Sequence, residues 1–149
     1  MTTNFQRTKA WLEACGKTPN PEDLSVQIGC HLEEICELLA VIRTDKEGYG
    51  KLLERTRTDL EWFAGKLKQR GAVAYIPPHM RTDALDALCD AEVTGNGVAF
   101  MAGFDKDGAD QEVLASNESK LEDGKAVILE GGKIGKGKSY KAPSLRGFV

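Results

Sequence analysis

The stretch from Asp23 to Arg43, DLSVQIGCHLEEICELLAVIR, decides the fold. Leu24, Ile28, Leu32, Ile35, Leu39 and Ile42 recur at steps of four or three, the spacing of one face of an α-helix. Val26, Cys30 and Val41 fall on the opposite side, together with Glu33, Glu34 and Glu37. The helix is therefore apolar on two sides, and carboxylates interrupt one of them.

The same signals extend outward. A first helix is expected from Asn4 to Cys15, stopped by Gly16. Thr18-Pro19-Asn20-Pro21 reads as a loop, because each proline pushes its predecessor out of helical angles. A third helix is expected from Lys46 to Arg70, with Leu52, Leu60, Phe63 and Leu67 as its apolar stripe and Gly71 as its stop. Ala72 to Met80, with Pro77-Pro78, reads as an extended crossing. A fourth helix starts at Thr82, a good N-cap, and runs to Ala102. Gly95 and Gly97 each cost it about 1 kcal/mol relative to alanine. Leu85 and Leu88 are expected to face a core. A short helix from Asp107 to Ala115 follows. Ala126 to Leu129, Gly131-Gly132 and Lys133-Ile134 read as a small hairpin with a glycine turn. The expected fold is all-α: a four- to five-helix bundle with a small C-terminal hairpin and an irregular basic tail. Residues 1–116 form the helical body, and 117–149 a basic appendage packing on the same domain.

The 149 residues are enough for one core, and 41% hydrophobic with 29% charged is a globular composition. No apolar run approaches the roughly 20 residues of a membrane span, and the N-terminus lacks the apolar centre of an export signal. Four cysteines without CxxC spacing read as reduced, which places the chain in the cytoplasm. The net charge of −3 argues against a nucleic-acid coat. Its distribution is uneven: residues 1–116 carry 13 basic and 19 acidic side chains, residues 117–149 carry 7 and 4.

Glu33, Glu34 and Glu37 fall within about 100° of helix arc. Asp83, Asp86 and Asp90 repeat the theme on the fourth helix, within about 60°. Like charges about 5 Å apart repel by roughly 3 kcal/mol at an effective dielectric of 20. A divalent cation reverses that sign, and Mg2+ takes hard oxygen ligands while keeping sites for phosphates. The plain alternative is two solvated acidic faces. In the tail, Asn117, Lys120, Lys133 and Lys136 lie among glycines whose backbone can approach a phosphate. The plain alternative there is a flexible solvated loop, but the Val127-Ile128-Leu129 strand suggests a packed segment. The cysteines read as small buried apolar residues, with no base placed to make one a nucleophile. His31 reads as a packing side chain. Phe5, Trp11, Trp62, Phe63, Phe100 and Phe104 read as core.

HLEEICELL (31–39), DALCDAEVTGNGVAF (86–100), NESKL (117–121) and GGKIGKGKSYKAP (131–143) together resemble the all-α nucleoside triphosphate pyrophosphohydrolases, in their MazG-like and phosphoribosyl-ATP-pyrophosphohydrolase-like branch. The resemblance implies Mg2+-dependent (or Mn2+-dependent) cleavage of a nucleoside triphosphate to monophosphate and pyrophosphate, by a homodimer or homotetramer. It implies Glu34 and Glu37 as one metal-binding pair, with Glu33 beside them orienting the attacking water. Asp90 matches the last acid of the second motif, and Asp86 and Asp83 supply the other. Asn117, Lys120, Lys133 and Lys136 match the phosphate-binding positions. Aspartate stands where the family usually has the first glutamate of the second motif. The alternatives are phosphoribosyl-ATP hydrolysis in histidine synthesis and a non-catalytic helical interaction module.

Overall fold

The computed structural model describes residues 2–69, 71, 73–129 and 134–149. The chain is all-α, with five helices and a small two-stranded hairpin among the described residues. It divides into two compact units, Pro19–Pro77 and Met1–Thr18 with Pro78–Val149. Among the described residues no helix is long and apolar enough to cross a membrane.

In the Pro19–Pro77 unit, α2 spans Pro21–Val41 and α3 spans Tyr49–Leu67. The second helix starts two residues before the expected Asp23. Proline is tolerated at the first helical position, where its missing N–H has no partner to lose. Asn20 caps it, accepting the Asp23 N–H at 2.8 Å. The buried face of α2 is offset from the expected apolar stripe, of which Leu24, Ile28, Leu32 and Leu39 are half-buried. Ser25, Gly29 and Cys36 are the buried residues of α2, and Ala64 and Leu67 those of α3. Small side chains on that face let the helices approach closely. A Cβ on Gly29 would stand 2.8 Å from the Ala64 carbonyl oxygen and 3.2 Å from Leu67 Cβ. Ser25 is fully buried, and its hydroxyl donates to the Leu67 carbonyl and accepts the Ala74 N–H, both at 3.0 Å. Ile35 and Ile42 are left exposed, as are Leu52, Trp62 and Phe63 of α3. His31 is exposed as well, and not packed as expected. The third helix is shorter than expected at both ends: it starts at Tyr49 and not Lys46, and it stops at Leu67, with Lys68 as its C-cap, before reaching Arg70.

In the other unit, α1 spans Asn4–Ala14, α4 Arg81–Ala102 and α5 Lys106–Glu118. Thr3 and Gln6 close a reciprocal capping box at the start of α1. Its end is a Schellman turn: Gly16 has φ +74°, and the Lys17 N–H reaches the Leu12 carbonyl at 2.9 Å. Thr82 is not the cap of α4, because a 3-10 turn at Pro78–Met80 leads into the helix one residue earlier. The fifth helix is longer than expected, so the boundary expected after residue 116 falls inside it. Asp105 caps it through the Gly108 N–H at 3.0 Å.

The hairpin is displaced from the expected one. β1 (Leu121–Glu122) pairs antiparallel with β2 (Lys125–Ala126) across Asp123-Gly124. Both turn residues have positive φ, 50° and 74°, the geometry that Asp-Gly supplies in a two-residue hairpin turn. The expected pairing survives as one antiparallel bridge, Ile128 to Ile134. The glycine turn expected at Gly131-Gly132 lies outside the described residues.

The aromatic and cysteine expectations divide. Trp11 is half-buried, whereas Phe5, Phe100 and Phe104 are exposed. Cys15 and Cys36 are buried, Cys30 is half-buried, and Cys89 is exposed on α4. Leu85 and Leu88 face no core: every residue of α4 except Ala84 and Ala99 is exposed.

Candidate functional site

The acids of α2 separate into two roles. Glu33 turns toward α3, where Lys68 Nζ meets its Oε1 at 2.6 Å. Glu34 and Glu37 are exposed; around the helix Glu34 lies about 180° from Ser25 and Glu37 about 120°. A separation of three residues places their backbones about 4.5 Å apart along the axis. On α4, Asp83, Asp86 and Asp90 are all exposed. The α2 acids belong to one unit and the α4 acids to the other. Among the described residues, no three His, Cys, Asp or Glu side chains are gathered as a metal site would gather them. The donor chemistry of each helix suits a hard divalent ion, since both offer carboxylate oxygens about one turn apart. Two such donors are an incomplete shell.

The basic residues are brought together more fully. Arg7 on α1 grips Glu118 on α5 with two parallel hydrogen bonds of 2.8 Å, from Nε and Nη2. This grip holds the Glu118 carboxyl below its ordinary pKa, first through the hydrogen bond and then through the guanidinium charge. Gln111 and Asn4 bond beside it at 3.0 Å. The docked α1 brings Trp11 to Lys120, whose Nζ lies 5.7 Å from the indole centroid. That ammonium donates to Asn117 Oδ1 at 2.8 Å, so the Asn117 and Lys120 of the N-x-S-K motif are directly joined.

The tail completes this cluster from the other side. The Gly137 N–H donates to the Lys120 carbonyl at 3.2 Å, and a Cβ on Gly137 would stand 2.9 Å from that oxygen. Lys138 N–H donates to Glu122 Oε1 at 2.6 Å. Ser116 Oγ donates to the Lys141 carbonyl at 2.7 Å, and Ser119 Oγ accepts the Lys141 N–H at 2.9 Å. The Gly-Lys segment is therefore pinned along the end of α5. Lys136 lies beside this anchor, its Nζ 4.5 Å from the Tyr140 ring centroid. Lys133 lies outside the described residues.

Trp11, Ser116, Ser119 and Glu122 are among the members that sequence reasoning did not assign to the cluster. A serine in the last turn of a helix is a weak signal for a side chain that grips other backbone. Nothing in the spacing reveals the Trp11–Lys120 approach, which depends on how α1 docks. Cys15, close by, is a poor nucleophile: burial pushes its thiol pKa up, against the opposing pull of Lys120 and Lys17.

Comparison with protein-family models, with curated proteins and with solved structures returns no match.

Proposed function

We propose that the chain is a Mg2+-dependent nucleoside triphosphate pyrophosphohydrolase. It would cleave an NTP or dNTP between the α- and β-phosphates, releasing monophosphate and pyrophosphate, and so cleanse the nucleotide pool. The observation that most supports this reading is the joining of Asn117 and Lys120 to the Gly137 backbone beside Lys136. A solvated lysine tail would not need those anchors. Cations held on a glycine backbone suit the triphosphate or the departing pyrophosphate.

Glu34 and Glu37 would hold the metal ion from α2, and Asp86 and Asp90 from α4, with Asp83 at the margin. Mg2+, or Mn2+, would neutralise phosphate charge and orient the triphosphate. Lys68 occupies Oε1 of Glu33, so Oε2 is the oxygen that would orient the attacking water. Water oxygen bonds to one phosphorus, the bridging oxygen leaves with the other, and the water proton passes toward that carboxylate. Lys120 and Lys136 would balance the charge of the pyrophosphate.

The working form would be a homodimer or homotetramer, which the exposed Leu85, Leu88, Phe100 and Met101 of α4 support. Four cysteines read as reduced suit a cytoplasmic setting. The test is pyrophosphate release from each NTP and dNTP with Mg2+. Glu37→Gln should lower turnover at least about 100-fold with the fold intact, a loss of some 2.7 kcal/mol of transition-state stabilisation. An unchanged rate would remove α2 from the chemistry.

The same exposed face of α4 favours a second reading, a non-catalytic helical interaction module. Calorimetric titration with Mg2+ separates the two. A module shows no saturable heat and no loss of stability in EDTA.

A further inference from the structure

We propose that Trp11 is a positioning residue for Lys120, an inference that rests on reading Lys120 as a phosphate-binding cation. Trp11 lies one helical turn after Arg7, so both project from the same face of α1. The Arg7–Glu118 fork fixes that face against the end of α5, two residues before Lys120. The indole consequently meets the lysine ammonium at 5.7 Å from its centroid, within the range at which a ring face attracts a cation.

Three restraints then act on Lys120. The Gly137 N–H holds its carbonyl, Asn117 takes one of the three ammonium donors, and the ring of Trp11 holds the charge. A lysine side chain has four rotatable carbons and loses much freedom when it engages a ligand. Pre-setting the ammonium reduces that loss when an anion arrives.

A second observation separates this role from plain packing. The Trp11 indole N–H is buried and has no acceptor among the described residues. A leucine there would fill space without burying an unsatisfied donor. What tryptophan adds at this position is its ring face, and that face carries Lys120.

The test is a double-mutant cycle read by calorimetric binding of inorganic pyrophosphate in Mg2+, alongside KM and kcat for an NTP. Trp11→Leu should weaken pyrophosphate binding and raise KM about fivefold, with kcat nearly unchanged and no loss of thermal stability. Trp11→Phe should restore part of the affinity. In a Lys120→Ala background, Trp11→Leu should have no further effect. If Lys120→Ala weakens binding but Trp11→Leu does not, Trp11 is only packing and the inference fails. Equal effects of Trp11→Leu in both backgrounds also overturn it. If Lys120→Ala leaves pyrophosphate affinity unchanged, or the unmodified protein binds none, the reading of Lys120 fails and takes the inference with it.

Discussion

Gly29 shows how one missing side chain sets a helix pair. An added Cβ would lie 2.7 Å from Lys68 Cγ and 2.8 Å from the Ala64 carbonyl. The lysine stem can move, but the α3 backbone can move only by parting the helices. Gly29→Ala should therefore destabilise by about 1–3 kcal/mol, read from urea unfolding, although alanine is the better helix former. Glu118 makes a different residue-scale prediction. Arg7 holds its folded pKa below the ordinary value of 4.5. A depressed carboxylate contributes stability above its unfolded pKa, and loses it as pH falls through the folded value. Arg7→Gln should lower the unfolding midpoint at neutral pH and flatten the acid-side decline. A decline of unchanged steepness below pH 4.5 would show that other carboxylates govern it. Neither effect is legible from residue type: glycine inside a helix looks like a flaw until its neighbour is known.

Helix starts and stops depend on local chemistry and were mostly legible. Gly16 has positive φ where a stop is expected, and Gly103 closes α4 in the same way, whereas α3 ends at Leu67, short of the expected stop at Gly71. The misses were also local. Asn20-Pro21 is a helix start when the asparagine caps and the proline takes the first position. Asp123-Gly124 is the strong hairpin signal, and the turn forms there and not at the glycine pair expected downstream. Gly124 at φ +74° would strain any side chain bearing a Cβ. Gly124→Ala should cost about 1 kcal/mol, seen in the unfolding midpoint, and Gly124→Asn less, because asparagine tolerates left-handed angles. The apolar stripe of α2 was harder to interpret. Periodicity identifies faces that water disfavours, but close approach selects the face with the smallest side chains. Ser25, Gly29 and Cys36 are the fully buried residues for that reason, while Leu24, Ile28, Leu32 and Leu39 are half-buried and Ile35 and Ile42 exposed.

At the scale of the whole molecule, α4 is the element whose surroundings matter most. Phe100 and Met101 are 78% and 84% exposed, and charge is confined to the residues before Val93. A mainly apolar helix end so exposed predicts association in solution. Phe100→Glu with Met101→Glu should shift the sedimenting species toward monomer and lower turnover with it. Sedimentation and turnover unchanged from the unmodified protein would dissociate α4 from assembly. The sequence by itself determined the all-α class, the helices and their approximate ends, the acidic pairs and the N-x-S-K and Gly-Lys segments. These follow from periodicity, capping and residue chemistry, which act over a few neighbouring positions. Only the tertiary structure decided that α3 lies on the small-residue face of α2. It also turned Glu33 to Lys68, and joined Trp11 and Asn117 to Lys120 with the tail anchored beside them. Those contacts link residues far apart in the chain, and each exists because two elements settle at one distance and rotation, which no local preference encodes.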